Sequence, residues 1–143
     1  MAPENRSTES ESVVSPAEQI TPRRVLLVED DRSSRRYLEI VLERAGYKVV
    51  PAGDGLEAMK LAISTSVDIV VTDATMPNLS GHEFCRFLRN SPSLSHLPVI
   101  LLSAQARKDP DENVEQVDAF LLKPVSGEVL VACIERLLAG KNG

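Results

Sequence analysis

Four short apolar runs in this chain each end on a chemically reactive side chain, and the pattern between them leaves few folds open. Val25-Leu26-Leu27-Val28 runs into Glu29 and Asp30, and Ile69-Val70-Val71-Thr72 runs into Asp73. Val99-Ile100-Leu101-Leu102 runs into Ser103, and Phe120-Leu121-Leu122 runs into Lys123. Between the runs, apolar residues recur at spacings of three and four, the period of an amphipathic helix. Strands that alternate with helices in this way pair in parallel, with the helices covering both faces of the sheet. The carboxyl ends of such strands share one edge, the usual ligand crevice of an open α/β sheet. Three carboxylates, a hydroxyl and an ammonium therefore converge on that edge.

The spacing predicts strands over 25–28, 48–52, 69–72, 99–102 and 119–122. A first helix covers about 33–45, with Leu38, Val41, Leu42 and Ala45 on one face and Gly46 as its stop. A second starts near Gly55 with Leu56, Met59 and Ile63 on its apolar side, and a third presents Phe84, Phe87 and Leu88. The last helix, about 126–139, has the clearest period: Val129, Leu130, Cys133, Ile134, Leu137 and Leu138. Residues 105–117 are polar and interrupted by Pro110, so a helix before the fifth strand is short, about 111–116. The first, third and fourth strands are apolar throughout, as central strands covered on both faces are. Lys48 and Pro51 mark the second as an edge. The expected fold is α/β: a flavodoxin-like, doubly wound five-stranded parallel sheet of order 2-1-3-4-5 with five helices, the fourth short or irregular.

A chain of 143 residues is one domain's worth, and its net charge of −5 is unevenly spread. Residues 1–22 hold Glu4, Glu9, Glu11 and Glu18 against Arg6, a local −3 that leaves only −2 on residues 23–143. That segment is rich in Ser, Thr, Glu and Pro, with few strong hydrophobes, and buries too little to offset its ordering entropy. Residues 1–22 are expected to be a disordered tail and 23–143 the folded domain. No basic stripe points to nucleic acid, and Arg35 and Arg36 read as a solvated helix face. No apolar run has the length of a membrane span, and no secretory signal opens the chain, so a cytoplasmic protein is expected. Cys85 and Cys133 are far apart on apolar helix faces and read as free buried thiols. His82 and His96 lack neighbours at zinc-ligand spacing.

The convergent groups suit phosphoryl chemistry. A carboxylate accepts a phosphoryl group only where its surroundings hold that group in line. Two further acids beside it repel at about 4 kcal/mol per close pair at an effective dielectric of about 20. A magnesium ion turns that repulsion into binding, since it takes carboxylates, waters and phosphate oxygens as ligands. Glu29, Asp30 and Asp73 supply the acids, and the backbone carbonyl of a loop residue such as Thr75 can complete the protein's share. Lys123 offers a compact positive charge to the phosphoryl oxygens, and Ser103 a hydroxyl. Each residue alone has a plainer reading: Asp30 or Asp31 as a helix cap, Asp73 as a turn former before Pro77, Lys123 as a solvated strand end. Their joint arrival at the ends of the right strands favours the site.

The segments Leu27-Val28-Glu29-Asp30-Asp31, Val71-Thr72-Asp73-Ala74-Thr75-Met76-Pro77, Leu101-Leu102-Ser103-Ala104 and Leu122-Lys123-Pro124 resemble the receiver domain of two-component response regulators, over roughly residues 24–139. The resemblance implies that Asp73 is the phosphoacceptor, Glu29 and Asp30 the acidic metal pair, and Thr75 the carbonyl ligand of Mg2+. It makes Ser103 the switch hydroxyl, Phe120 the switch aromatic and Lys123 the phosphate-binding lysine, with a cis peptide before Pro124. Asp31, one place beyond the family's acidic pair, is left as a cap or neighbour. The implied function is a single-domain response regulator that takes a phosphoryl group from a histidine kinase or phosphotransfer protein. Its only expected chemistry is self-phosphorylation and autodephosphorylation. A downstream protein effector is expected on the loop from Ala104 to Val117, the fifth strand and the last helix. One departure from the family pattern is Glu115-Gln116-Val117-Asp118, which stands where a Gly-Ala turn is usual.

Three competing functions are weighed on the same residues. A haloacid-dehalogenase-type phosphatase needs a second acid two positions after its aspartate, and Thr75 stands there. A flavin-binding protein of this fold needs a phosphate loop rich in Gly, Ser and Thr after the first strand, which is absent. A pseudo-receiver that binds partners without phosphorylation is the main alternative.

Overall fold

β-Branched and leucine-rich runs, cut short by acids, prolines and glycines, settle as strands, the central three buried on both faces, and segments between them wrap the sheet as helices. A computed structural model describes residues 21–106 and 117–142. In chain order its elements are β1 (Arg24–Val28), α1 (Arg32–Arg44), β2 (Lys48–Ala52), α2 (Gly55–Ser64), β3 (Ile69–Asp73), α3 (Gly81–Asn90), β4 (Val99–Ser103), β5 (Ala119–Leu122) and α4 (Gly127–Asn142). All strand pairs are parallel and the order is β2-β1-β3-β4-β5, the expected flavodoxin-like arrangement. Four helices fall among the described residues. The short helix expected at 111–116, and all but the last two residues of the tail expected at 1–22, lie outside them.

Alternation along the strands divides the core in two. Leu26, Val28, Val70, Val99 and Leu101 face α2 and α3, where Ala58, Ala62, Phe84, Cys85 and Leu88 meet them. Val25, Leu27, Ile69, Val71, Ile100 and Leu102 face Leu38 and Leu42 of α1 and Leu130, Cys133, Ile134 and Leu138 of α4. Each fully buried aliphatic side chain contributes roughly 1.5–3 kcal/mol through removal from water. β1, β3 and β4, fully covered, are therefore the rigid centre that carries Glu29, Asp73 and Ser103.

Two helix faces depart from the sequence expectation. On α2, Leu56 is 50% and Ile63 69% exposed, while Gly55, Ala58 and Ala62 are the buried residues. The helix carries two periodic stripes, and the small one faces inward because it lets the helix lie close to the sheet and to Leu79. On α4, Val129 is 52% exposed, whereas its neighbour Leu130 is buried.

The helix ends follow local chemistry. Asp31 caps α1 by accepting the Ser34 N–H at 2.8 Å, and Gly46 takes φ 99° just past the helix. Ser80 and Glu83 form a reciprocal capping box at α3. Gly81 starts that helix hard against the end of β3: a Cβ there would collide with the Asp73 carbonyl oxygen and stand 2.9 Å from the Ala74 Cα.

Candidate functional site

β1 and β3 are adjacent, so the residues that end them stand side by side. One carboxylate oxygen from each of Glu29, Asp30 and Asp73 lies within 4.8 Å of the others. Glu29 is fully buried, Asp73 is 6% exposed, and Asp30 opens to solvent. β5 lies two strands from β3, yet Lys123 reaches back across the edge. Its ammonium is 3.0 Å from Glu29 Oε1 and 3.1 Å from Asp73 Oδ2. The Lys123–Pro124 peptide is cis.

This charge balance is uneven, with three carboxylates facing one ammonium. Burial pushes the Glu29 carboxyl above the usual range, against the Asp31 N–H that donates to Oε2 at 3.1 Å and the nearby Lys123. Glu29 Oε1 is buried and, beyond its ion pair, has no hydrogen-bond partner among the described residues. For Lys123, burial works against the charge, but contacts to Glu29 and Asp73 outweigh it and raise its pKa. Removing both acids from water without full compensation is costly, and a divalent cation would supply the missing charge. An under-satisfied buried carboxylate oxygen beside two more carboxylates fits a hard cation that prefers oxygen ligands.

The other expected residues sit around this cluster. Thr75 is exposed, and its N–H points to Asp73 Oδ1 at 3.4 Å. Ser103 closes β4, next to the strand of Asp73, but its hydroxyl is turned to Gln105. It donates to the Gln105 carbonyl at 3.0 Å and accepts the Gln105 N–H at 3.1 Å. Phe120 lies opposite Leu101 in the β4–β5 ladder, half-buried against the α2–α3 side of the core. Asp31 serves as cap.

One assignment needs correcting. Arg36 stays solvated and pairs with Glu39, but Arg35 folds back, and its Nη1 donates to the Glu29 carbonyl at 2.8 Å. The signal that could have found it is position: one turn past the Asp31 cap, a long side chain points back over the strand end. A second contact missed in the sequence is Arg89, which bonds the Ser95 and Leu97 carbonyls and pairs with Asp118 at 3.0 Å.

A groove of about 490 Å³ opens beside the cluster, floored by Glu29, Leu102 and Lys123 and walled by Tyr37, Leu38 and Val125. No helix among the described residues is long and apolar enough to cross a membrane.

Comparison with known proteins agrees with this architecture. The model of the response regulator receiver domain matches residues 25–135. The polar-differentiation response regulator DivK of Brucella anthropi is 31% identical over 82% of this chain and 97% of its own length. A signal receiver domain of a histidine kinase from Syntrophus aciditrophicus superposes with a TM-score of 0.73 at 34% identity, covering 82% of this chain and 91% of that one. The response regulator TrrA of Thermotoga maritima, solved in complex with Mg2+ and BeF, gives 0.74 at 29% identity over 80% and 98%. With its β2-β1-β3-β4-β5 sheet and an acid cluster at the carboxyl edge, the chain belongs to the response regulator receiver domains of two-component signalling.

Proposed function

We propose that this receiver, spanning residues 23–143, is switched by Mg2+-dependent transfer of a phosphoryl group from a histidine kinase or phosphotransfer protein to Asp73. The observation that carries the proposal is the trio of carboxylates within 4.8 Å, two of them paired with the Lys123 ammonium. Glu29, Asp30 and Asp73, with the Thr75 carbonyl, would hold the cation, which when bound offsets the charge of the incoming phosphoryl group. A carboxylate oxygen of Asp73 attacks the donor's phosphorus, forming an O–P bond as the P–N bond to the donor's phosphohistidine breaks and the imidazole leaves with that electron pair. Lys123, already 3.1 Å from Oδ2, holds charge that develops on the phosphoryl oxygens. Ser103 leaves Gln105 to donate to one of them, and Phe120 turns inward behind it. Phosphorylation adds about −1.5 to −2 charge at this point. Effector recognition then falls to the 104–117 connection, β5 and α4, where Leu122 and Val129 are each 52% exposed.

The test is intact mass after treatment with a small phosphodonor. The wild-type chain gains one phosphoryl group in Mg2+ and none in excess chelator, and Asp73→Asn gains none under either condition. A modified Asp73→Asn chain, or a metal-independent gain, would refute the assignment. A pseudo-receiver would gain nothing at all.

A further inference from the structure

We propose that Arg35 is a positioning residue for the acidic pocket: its guanidinium braces the peptide unit that joins Glu29 to Asp30, and so sets the spacing of two cation ligands. The proposal rests on the reading of this pocket as a divalent-cation site.

The carbonyl that Arg35 Nη1 holds at 2.8 Å belongs to the peptide between the two acids. Other bonds fix the flanks of this turn. The Glu29 N–H donates to the Ala52 carbonyl at 3.1 Å, and the Asp31 N–H donates to Glu29 Oε2. Asp31 is tied into the helix through the Ser34 and Arg35 N–H groups. The Arg35 side chain adds the restraint on the central unit, where a peptide rotation would swing Asp30 relative to Glu29. The guanidinium also lies against the β2–α2 turn, since a Cβ on Gly53 would meet Nη1 at 3.4 Å. It therefore links two loops of the ligand edge.

Helix stability does not account for this placement. The first turn of α1 contains no acid, and a cation near a helix N-terminus opposes the macrodipole. Attraction to the neighbouring carboxylates also favours a guanidinium here, but acting as a charge alone it would lower cation affinity by repulsion. A brace and a charge thus predict opposite signs for the same substitution.

The experiment is Mn2+ binding to the full chain, read by the free-ion electron paramagnetic resonance signal, for wild type, Arg35→Ala, Arg35→Lys and Arg36→Ala. Arg36→Ala supplies the control, since it removes the same charge from the same helix at a residue that pairs with Glu39. Arg35→Ala is expected to weaken Mn2+ by about tenfold, the lower end for residues that orient metal ligands. Arg35→Lys, which keeps the charge and one donor, recovers part of that loss. Arg36→Ala binds as wild type or slightly tighter. Arg35→Ala binding as tightly as wild type, or more tightly, would overturn the proposal and leave Arg35 as a charge alone. So would an equal loss in Arg36→Ala. A wild-type chain that binds no Mn2+ removes the cation-site reading, and this proposal with it, which is a distinguishable result.

Discussion

At Lys123 one ammonium faces two largely buried carboxylates, so its removal acts first on stability. Lys123→Ala leaves Glu29 and Asp73 facing each other without their shared ammonium. Loss of such charge-assisted contacts costs about 1.5–3 kcal/mol, less here because the lysine side chain is 28% exposed. The metal-free melting temperature of Lys123→Ala should fall by several degrees, and Mg2+ should recover most of the deficit by replacing the lost charge. Equal melting with and without metal would show that no cation occupies the pocket. The raised lysine pKa makes its contribution complete below the usual lysine value and lost only as pH climbs through the folded one, so this ion pair persists through neutral pH. Cys85 behaves differently. Burial pushes its thiol up to about 12, from a usual 9.0. The stability gained from the neutral thiol is complete below about pH 9 and declines as pH rises towards 12. A thiol reagent at pH 8 should label Cys85 only after urea is added, and rapid native labelling, read by peptide mass, would contradict its burial.

The elements fit tightly where α3 meets β3. Gly81→Ala would drive a methyl into the Asp73 carbonyl and the Ala74 Cα, and overpacking of this kind costs about 1–3 kcal/mol. Gly140, on α4, has no atom of the described residues within 4 Å of its Cβ position, so Gly140→Ala should stabilise the chain by about 0.5–1 kcal/mol. Urea melts should therefore move in opposite directions for the two substitutions, and a neutral Gly81→Ala would mean that α3 can retreat from β3. The sheet order was legible because each central strand carries its own uninterrupted apolar run. Likewise Glu29, Asp30, Asp73 and Lys123 were legible because they stand at the ends of those runs. The inward face of α2 was not, because Leu56-Met59-Ile63 and Gly55-Ala58-Ala62 have equal claims by period, and only the close approach of Leu79 selects the smaller set. Arg35 was hard to find for a related reason: its acceptor is a backbone carbonyl, so only its position one turn past the Asp31 cap marks it in the sequence.

Across the whole molecule, a phosphoryl group at Asp73 would act on a segment with one loose and one anchored end. The loose end is Ser103–Gln105, held by two bonds between the Ser103 hydroxyl and the Gln105 backbone. These are exchangeable, because a phosphoryl oxygen offers the hydroxyl a stronger, charge-assisted acceptor. The anchored end is Asp118, whose carboxylate accepts the Val99 N–H at 2.8 Å and pairs with Arg89, itself bound to two carbonyls after α3. Removal of the Ser103 hydroxyl from Gln105 would free the upper end while the lower one stays fixed to β4 and α3. β5, the edge strand, would carry the change, with Phe120 moving toward Ser103. Amide exchange with and without beryllofluoride and Mg2+ should therefore differ most over residues 104–125 and little at Val99. In Asp118→Asn, which weakens the pairing with Arg89, the difference should spread into the start of β4 and the residues after α3. A response confined to residues 75–80, or one that Asp118→Asn leaves unchanged in extent, would show that the phosphoryl group is read through another face.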